Sequence, residues 1–386
     1  MILYIIFLYQ MLICIIGTWK DVTKYQMPWE IYSKRWFQWT CRTDILIHAV
    51  SCGEAMAMIP VMAYLTKYQK NIKYTLSVHT YTGYTLIKQN VPNRDNIVLK
   101  PFDTLFTMFL FFLQLWPKCI IISESDTCPC FLIIAKLFRI PIFYMNYKYK
   151  PEKPIRNLLH RCIADHIYTQ NNITYNNNYS FVGNLKFLAV NKDTTIKKPI
   201  PLTIIIASAG KDEIEIHLNY IRAFSNNVRF IYVPRHLSWD VRPYFDKLNR
   251  PYSVITTLAS FDSSSSSIVI CSAIGMLDAL YKKSHICLMG DTFNKIGGHN
   301  LIEPAITQNA IILGPNFHTC KEMADMLNIT YALSETDLIN KTLDLLENNT
   351  YSPIGKENQL LIYTYRKTIK KAFKQAMTEI IFTLNI

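Results

Sequence analysis

Several reactive side chains directly follow short apolar runs, which is where parallel-sheet proteins place their functional groups. The run that begins at Ile45 leads into His48-Ala-Val-Ser-Cys-Gly-Glu54, and a helical pattern follows from Ala55 to Tyr68. A carboxylate at such a strand end takes a proton from a hydroxyl nucleophile when a dry environment raises its pKa. The spacing Ser51-x-x-Glu54 is also that of a helix capping box. The residues by themselves therefore leave open whether Glu54 is a general base or a cap.

A second candidate segment runs from Gly290 to Pro304, after the apolar run Ile286 to Met289. The glycine pair Gly297-Gly298 predicts close approach of the backbone to a ligand. A helix predicted to begin near Asn300 would offer free N–H groups to a phosphate, and Glu303 would accept hydrogen bonds from ribose hydroxyls. Because Asn300-x-x-Glu303 is also an ordinary cap, this segment too has a purely structural interpretation.

Three shorter segments put charge at predicted strand ends: Glu124-Ser-Asp126, Gly183 to Phe187, and Val233-Pro-Arg-His236. Each is also compatible with a solvated loop. The histidines form no His-x-x-x-His pair, and no Asp-x-Asp follows a predicted strand. We therefore predict no dedicated metal site.

Short apolar runs alternate with helical patterns along the chain, which is typical of parallel sheets. The runs are Ile45 to Val50, Tyr74 to Val78, Cys119 to Ile122, Ile140 to Tyr144, Thr203 to Ile206, Arg229 to Val233, Ile268 to Cys271, Ile286 to Met289 and Ala310 to Leu313. A polar stretch, 191–198, separates the two sets and is predicted to be a linker. The expected fold is α/β, with two doubly wound, Rossmann-like domains facing across a cleft.

This pattern divides the chain into four predicted parts. They are a membrane anchor at 1–19, a first Rossmann-like domain at 20–190, a second Rossmann-like domain at 191–356, and a C-terminal helix at 357–386, with its helical pattern from Glu357 to Phe382.

Composition and charge narrow the class of protein. Of the 386 residues 50% are hydrophobic and 18% are charged, which excludes a disordered chain. Ten cysteines without a Cys-x-x-Cys pair favour reduced thiols. The net charge is +13, and residues 1–196 carry 21 basic against 11 acidic side chains, so the first half should meet an anionic partner. Nucleic acid is not predicted because the basic residues are not clustered.

The N-terminal run Met1 to Trp19 contains no charged residue and is long enough to span a bilayer. It lacks the basic start and the cleavage site of a signal peptide, so we predict an uncleaved anchor, or else a buried first helix. The basic residues after it, from Lys20 to Arg35, predict that the rest of the chain is cytoplasmic, at the inner membrane. The apolar stretch Leu105 to Trp116 is too short to span; it is either a core helix or a surface that dips into the head groups.

Taken in order over roughly Ile45 to Leu327, these segments resemble the 3-deoxy-D-manno-octulosonate (Kdo) transferases, the membrane-anchored glycosyltransferases of lipopolysaccharide assembly. The similar stretches are His48 to Glu54 (family H-(A/S)-V-S-V-G-E), Thr80 to Gly83 (T-x-T-G), Glu124 to Pro129 (E-T-E-L-W-P), Gly183 to Phe187 (G-N-L-K-F), Val233 to His236 (V-P-R-H) and Gly297 to Pro304 (G-G-H-N-x-L-E-P). The resemblance implies the GT-B fold and transfer of Kdo, with inversion, from CMP-Kdo to the lipid A precursor lipid IVA.

The resemblance also implies roles for particular residues. Glu54 would be the general base, and Glu124 and Lys186 would stabilise charge in the transition state. CMP would be held by Pro234, Arg235, Ile274, Gly275, Met276, Asn300, Leu301, Ile302 and Glu303. No cofactor or metal is implied, since the leaving group carries one phosphate that cationic side chains can stabilise. The implied partners are lipid IVA, bound by the acceptor-binding domain at 20–190, and CMP-Kdo, bound by the donor-binding domain at 191–356. An anionic membrane surface is predicted from the basic first half of the chain.

The chain departs from the family pattern at several of these positions. Met276 stands in place of a glutamate, Asp126 and Cys128 in place of glutamate and tryptophan, and Ala209-Gly210 in place of Thr-His. Two hypotheses therefore remain at the sequence level: an active Kdo transferase, and a weakly active GT-B relic that binds nucleotide or membrane without turnover.

Overall fold

The computed structural model describes residues 2–91, 96–173, 178–189, 196, 198, 200–248 and 250–384. The chain divides into two compact units, and the predicted linker falls mostly outside the described residues. Unit 1 comprises Met1–Ala189 and Lys367–Ile386, and unit 2 comprises Val190–Arg366.

Unit 1 is built on a parallel sheet that has seven strands in the described residues, in the order β3-β2-β1-β4-β5-β6-β7. The strands are β1 (Ile45–Ala49), β2 (Tyr74–Val78), β3 (Ile97–Leu99), β4 (Cys119–Ser123), β5 (Ile142–Tyr147), β6 (His166–Thr169) and β7 (Tyr179–Phe181). The central strands are buried along their whole length because helices cover both faces of the sheet. Strands β2 and β3 extend the sheet on one side of β1, and β4 to β7 extend it on the other side. The carboxyl ends of β1 and β4 therefore flank a topological switch point, where doubly wound sheets bind ligands.

The helices of unit 1 precede, connect or follow these strands. They are α1 (Ile2–Trp19), α2 (Trp29–Tyr32), α3 (Cys52–Ala57), α4 (Ile59–Tyr68), α5 (Tyr81–Asn90), α6 (Leu105–Leu115), α7 (Pro129–Leu137), α8 (Pro154–Ile163) and α9 (Lys186–Ala189). A π-helical turn, Lys20–Lys24, continues α1, and a 3-10 turn, Ser33–Arg35, follows α2.

Unit 2 repeats this architecture, with seven described strands in the order β10-β11-β9-β8-β12-β13-β14. Its strands are β8 (Thr203–Ala209), β9 (Arg229–Pro234), β10 (Tyr252–Ile255), β11 (Ile268–Cys271), β12 (Ile286–Met289), β13 (Ala310–Leu313) and β14 (Ile329–Tyr331). Its helices are α10 (Ile214–Arg222), α11 (Arg242–Phe245), α12 (Leu258–Ser263), α13 (Leu277–Lys282), α14 (Ile302–Ile306), α15 (Lys321–Ala324) and α16 (Glu335–Glu347), and α17 (Tyr351–Phe382) begins in it. Two 3-10 turns, Lys211–Glu213 and Asp246–Leu248, complete it.

The predicted strands are all present, and five further strands were not predicted: β3, β6, β7, β10 and β14. These five lie at or next to sheet edges. Strands β7, β10 and β14 are partly exposed, β3 is apolar but only three residues long, and β6 contains His166 and Thr169. None of them therefore shows the longer apolar run that marks a central strand. The predicted helix from Ala55 to Tyr68 is broken at Met58, two residues before Pro60, whose ring cannot continue a regular helix.

The apolar N-terminal run forms α1, as far as Trp19. Among the residues whose side chains are described, no helix is long and apolar enough to cross a bilayer. Because this set leaves out the side chains of residues 1–9, the anchor at 1–19 stays a prediction. The stretch Leu105 to Trp116 was expected to be a core helix or a membrane surface. The core helix is confirmed, because Met108, Phe111 and Phe112 of α6 are buried. The same helix leaves Phe106 69% exposed.

Candidate active site

Glu54 lies in the first turn of α3, just beyond the carboxyl end of β1. Its backbone N–H donates to Ser51 Oγ at 3.4 Å, while its carboxylate accepts the N–H of Val50 at 2.8 Å. The cap expected from the sequence is thus partly present. The side chain also has unusual acidity: burial, with the charges of Glu124 and Asp126 adding to it, raises the pKa of Glu54 to about 7 although the Val50 N–H opposes the shift. A carboxylate that titrates near neutral pH is suited to general base catalysis.

Glu124 and Lys186 form an ion pair beside Glu54. Lys186 Nζ lies 3.3 Å from Glu124 Oε1, and a Cβ on Gly53 would be 3.8 Å from the same nitrogen. Glu124 has φ of 56°, in the left-handed region that non-glycine residues rarely adopt. Its N–H is held by the carbonyl of Met145 at 2.9 Å. The structure therefore brings Glu54, Glu124 and Lys186 together, and it keeps Glu124 in a strained conformation of the kind that clusters at functional sites.

A cluster of three polar side chains, His48, Asp126 and Cys128, lies beside this site. His48 Nε2 is 2.9 Å from Asp126 Oδ2, and the thiol of Cys128 donates to the same oxygen at 3.0 Å. The three ligand atoms lie within 4.8 Å of one another and include donor types that zinc uses. Burial opposes ionisation of Asp126, but the hydrogen bond and charge of His48 outweigh it and hold the pKa of that carboxyl below its usual range. These hydrogen bonds join β1 to the loop that carries Glu124.

Asn146 positions the loop of Lys186 and was not singled out by the sequence analysis as a site residue. It is fully buried, with φ of 60°, and its Oδ1 accepts the N–H of Leu185 at 2.9 Å. Its carbonyl accepts Gln170 Nε2 at 2.8 Å. An asparagine at the end of a buried strand is a weak signal, because only the tertiary contact to Leu185 shows what it holds.

In unit 2, Arg235 follows β9 and meets two side chains that the sequence analysis did not select. Its Nη1 contacts the ring of His299, 2.6 Å from Nδ1, and its Nε lies 3.6 Å from Asp291 Oδ2. Asp291 is buried and also accepts His299 Nε2 at 2.8 Å. Burial lowers the pKa of His299, with the positive charge of Arg235 acting in the same direction although the Asp291 hydrogen bond opposes it. His299 therefore lies between the buried Asp291 and a guanidinium that remains 38% exposed.

Arg235 and Asp291 border a cavity of about 440 Å³, which is also lined by Gly210, Lys211, His236 and Trp239. Glu213, which is fully buried under the cavity, holds the loop that carries Asp291. Its carboxylate accepts the N–H groups of Asp291 at 2.6 Å, Phe293 at 2.5 Å and Asn294 at 3.2 Å. Burial raises its pKa, and these three donors oppose the shift.

The glycine pair closes a tight loop. The N–H groups of Gly297 and Gly298 both donate to the carbonyl of Asp291 at 2.9 Å. Both residues have positive φ, and a Cβ on Gly297 would lie 2.4 Å from His318. The helix expected near Asn300 begins at Ile302 and has five residues. Close approach of this backbone to a ligand stays a prediction.

The remaining predicted CMP-binding residues differ in what they offer. Glu303 is half-buried, its Oε1 accepts Asn300 Nδ2 at 3.1 Å, and burial together with the charge of Asp278 raises its pKa. Gly275, with φ of 83°, has no atom within 4 Å of its ideal Cβ position, so its turn is open to solvent. Ile274 is 84% exposed. The side chains of Pro234, Met276, Leu301 and Ile302 are buried, which leaves them chiefly backbone groups for a ligand.

Solved structures of other proteins share the fold of two parallel-sheet units. A UDP-N-acetylglucosamine 2-epimerase superposes with a TM-score of 0.57 at 14% identity, over 84% of this chain and 94% of that one. MurG of Acinetobacter baumannii superposes with a TM-score of 0.50 at 12% identity, over 87% of this chain and 99% of that one. At such identities the likeness concerns the fold alone. The chain has the GT-B fold, with two α/β units that are each built on a parallel sheet.

The sequence comparisons all lead to one family of transferases. Residues 25–189 match the family model described as 3-deoxy-D-manno-octulosonic-acid transferase (kdotransferase). The 3-deoxy-D-manno-octulosonic acid transferase of Aquifex aeolicus is 26% identical over 79% of this chain and 87% of that protein. The enzyme of the same name from Haemophilus influenzae is 24% identical over 78% of this chain and 77% of that protein. Residues 25–189 thus match the model of this transferase family, and the chain is similar to its members over most of its length.

Proposed function

We propose that this protein transfers Kdo from CMP-Kdo to lipid IVA, with inversion at the anomeric carbon, in the assembly of lipopolysaccharide. The observation that carries the proposal is Glu54: a carboxylate with a pKa near 7, at a strand end, beside the ion pair of Glu124 and Lys186. Unit 1 would bind the acceptor, and unit 2 would bind the donor.

In the proposed step, a sugar hydroxyl of the acceptor gives its proton to the ionised Glu54 carboxylate. The hydroxyl oxygen forms a bond to the anomeric carbon of Kdo, and the bond from that carbon to the phosphate oxygen breaks. CMP leaves with the electron pair of that bond. Lys186, already paired with Glu124, would stabilise negative charge that develops as the bonds rearrange.

The donor side is assigned from the open polar groups of unit 2. Arg235 offers a partly exposed guanidinium next to His299, and Glu303 offers a half-buried carboxylate for ribose hydroxyls. A CMP leaving group carries a single phosphate, and a guanidinium makes charge-assisted hydrogen bonds to phosphate. We therefore propose that transfer needs neither a divalent metal nor another cofactor.

The acceptor is a lipid, and we also propose that unit 1 attaches to an anionic membrane, at the cytoplasmic face of the inner membrane, with residues 1–19 as its anchor. Large apolar side chains are exposed on the three helices that connect β3 to β6. These are Phe106, Phe109, Leu113 and Trp116 on α6, Ile133 and Leu137 on α7, and Ile155, Leu158 and Leu159 on α8. Right-handed crossovers place these helices on one side of the sheet. Contiguous exposed apolar surface of this kind is typical of interaction sites.

The test is a CMP-release assay with the purified full-length chain, CMP-Kdo and lipid IVA, with the product identified by mass. We expect CMP release that depends on the acceptor and a mass increase of the acceptor by Kdo residues. Binding of CMP without product would instead identify the weakly active relic.

A further inference from the structure

An apolar groove of about 290 Å³ runs between α7 and α8 of unit 1. Its walls are Pro129, Leu132 and Ile133 on one side and Leu159 and Ile163 on the other. Thr127, just before α7, and Lys136, in the last turn of α7, complete the lining. The volume is about ten times the roughly 30 Å³ that a water molecule occupies in the liquid. Because its walls are mainly apolar and its volume is small, the groove is suited to a slender apolar group rather than to a polar one.

The walls of the groove reach the surface. Ile133 is 50% exposed and Leu159 is 42% exposed, although both point toward neighbouring apolar side chains. Burying such side chains against an apolar ligand is favourable by about 25 cal/mol per Å² removed from water. Helix α7 has nine residues and is thus about 13 Å long, which sets the length of alkyl chain that can lie along it.

The groove starts at the loop that carries the candidate catalytic residues. Thr127 is the residue after Asp126, and its Oγ1 lies 2.6 Å from Nε2 of His160 on α8. Arg156, also on α8, donates from Nη1 to Oγ of Ser125 at 3.0 Å, next to Glu124. Helices α7 and α8 are therefore tied to this loop. The groove begins at Thr127, three residues after Glu124. A molecule with an apolar chain in the groove would therefore have its polar end near Glu124 and Glu54.

The charge around α8 indicates what kind of molecule this is. Residues 148–161 contain five basic side chains and one acidic side chain. Lys148, Lys153 and Arg161 are exposed. A cationic rim around an apolar groove complements an anionic head group attached to alkyl chains.

We propose that the groove holds one acyl chain of the acceptor lipid and so sets the position of its sugar hydroxyl at Glu54. This inference rests on the proposed function. The acceptor is chosen over bulk membrane lipid because the groove is continuous with the loop of Glu124, whereas bulk lipid needs only the exposed outer faces of the helices.

Matched variants separate the groove from exposed apolar surface elsewhere on the protein. The groove variant combines Ile133→Gln with Leu159→Gln, and the control combines Leu333→Gln with Leu360→Gln. Leu333 and Leu360 lie in unit 2, are 74% and 64% exposed, and do not line the groove. Both variants lose two branched aliphatic side chains, and thermal unfolding checks that both fold.

Transfer is measured in detergent, so that no bilayer is present, with lipid IVA and with the same acceptor stripped of its acyl chains. We expect the groove variant to raise KM for lipid IVA about tenfold with little change in kcat, the control to stay near wild type, and the stripped acceptor to be used equally by all three proteins. Equal losses in groove and control variants, or an equal loss with the stripped acceptor, would overturn the proposal.

A second measurement is independent of turnover. Lipid IVA with a photoactivatable group at the end of one acyl chain is crosslinked to the full chain, alongside a phospholipid that carries the same group. Labelling of 129–163 by lipid IVA, weakened in the groove variant, supports the proposal even if Kdo is not the sugar transferred. Equal labelling by the phospholipid would refute the choice of the acceptor. Failure of transfer by the wild type, with labelling intact, would refute the proposed function alone.

Discussion

Lys186 Nζ and Glu124 Oε1, 62 residues apart in the chain, are 3.3 Å apart in the structure. The pair is made by two loops, one after β4 and one at the start of α9. It lies beside Glu54, whose pKa the negative charge of Glu124 helps to raise. The acid–base behaviour of Glu54 therefore depends on residues that are distant in sequence.

Glu54→Gln should remove most turnover while leaving the fold nearly unchanged. Glutamine keeps an oxygen to accept the Val50 N–H, but it cannot take a proton. Loss of a general base typically reduces the rate about 100- to 10,000-fold. The measurement is kcat for CMP release together with thermal unfolding, and Glu152→Gln, at an exposed position, is the control. An early-melting variant with a wild-type rate per folded molecule would mean that Glu54 is only a cap.

The pH dependence of kcat/KM should report Glu54. A base is active when ionised, so the rate should rise with pH through about 7 and then level off. In Glu124→Gln the negative charge near Glu54 is gone and Lys186 is unpaired. Both changes favour the ionised form, so the rising limb should move to lower pH even if the maximum rate falls. A limb that stays in place would show that another group titrates.

The same shift has a consequence for stability. The folded-state pKa of Glu54 is raised from 4.5 to about 7, so the native state binds more protons than the unfolded chain between these values. Its contribution to the free energy of unfolding should therefore fall as pH rises from about 4.5 to about 7. Urea unfolding across this range should show a weaker decrease in Glu54→Gln than in the wild type.

CMP should bind in EDTA, and Arg235→Ala and Glu303→Ala should each weaken binding about tenfold or more. A charge-assisted hydrogen bond contributes about 1.5 to 3 kcal/mol, and 1.4 kcal/mol corresponds to a factor of ten. Calorimetry is the direct measurement. Arg242→Ala removes an equally charged side chain that pairs only locally with Asp240, so it should leave the affinity unchanged. Binding restored only by magnesium would contradict the metal-free mechanism, and binding insensitive to both changes would show that CMP lies elsewhere.

Glu213→Gln should destabilise unit 2 and weaken CMP binding. An amide has one acceptor oxygen, so the backbone donors of 291–294 that share the two carboxylate oxygens cannot all be satisfied. An unsatisfied buried donor costs about 1–3 kcal/mol. Urea unfolding and CMP calorimetry measure the two effects, with Glu215→Gln, exposed two residues further on, as the control. A variant as stable as the control would show that the loop does not depend on Glu213.

Membrane attachment should survive partly when residues 1–19 are removed, because the exposed face of α6 and the excess basic charge remain. The truncated chain should bind anionic vesicles at low salt and dissociate as salt increases. In this truncated chain, Phe106→Gln should weaken binding, whereas Phe382→Gln, at a site 84% exposed on α17, should not. A truncated chain that does not bind at low salt would show that the charge excess is only compositional.

The sequence by itself determined the two sets of central strands and the placement of Glu54 and Arg235 at strand ends. It could do so because a strand buried on both faces must be continuously apolar, and because the next residues then fall at the carboxyl edge of the sheet. The order of the short motifs also predicted the family. These features depend on local patterns that can be seen in one stretch of chain.

Only the tertiary structure decided how the site is assembled. The contacts of Asn146 with Leu185 and of Asp291 with His299 and Arg235 join segments that no local pattern relates. The carbonyl of Asp291 also accepts the N–H groups of the glycine pair, a contact that the glycines by themselves did not indicate. The raised pKa of Glu54 likewise arises from burial and from charges on another loop. Desolvation and charge proximity are properties of the packed chain, so a sequence can name the side chain but not its acidity.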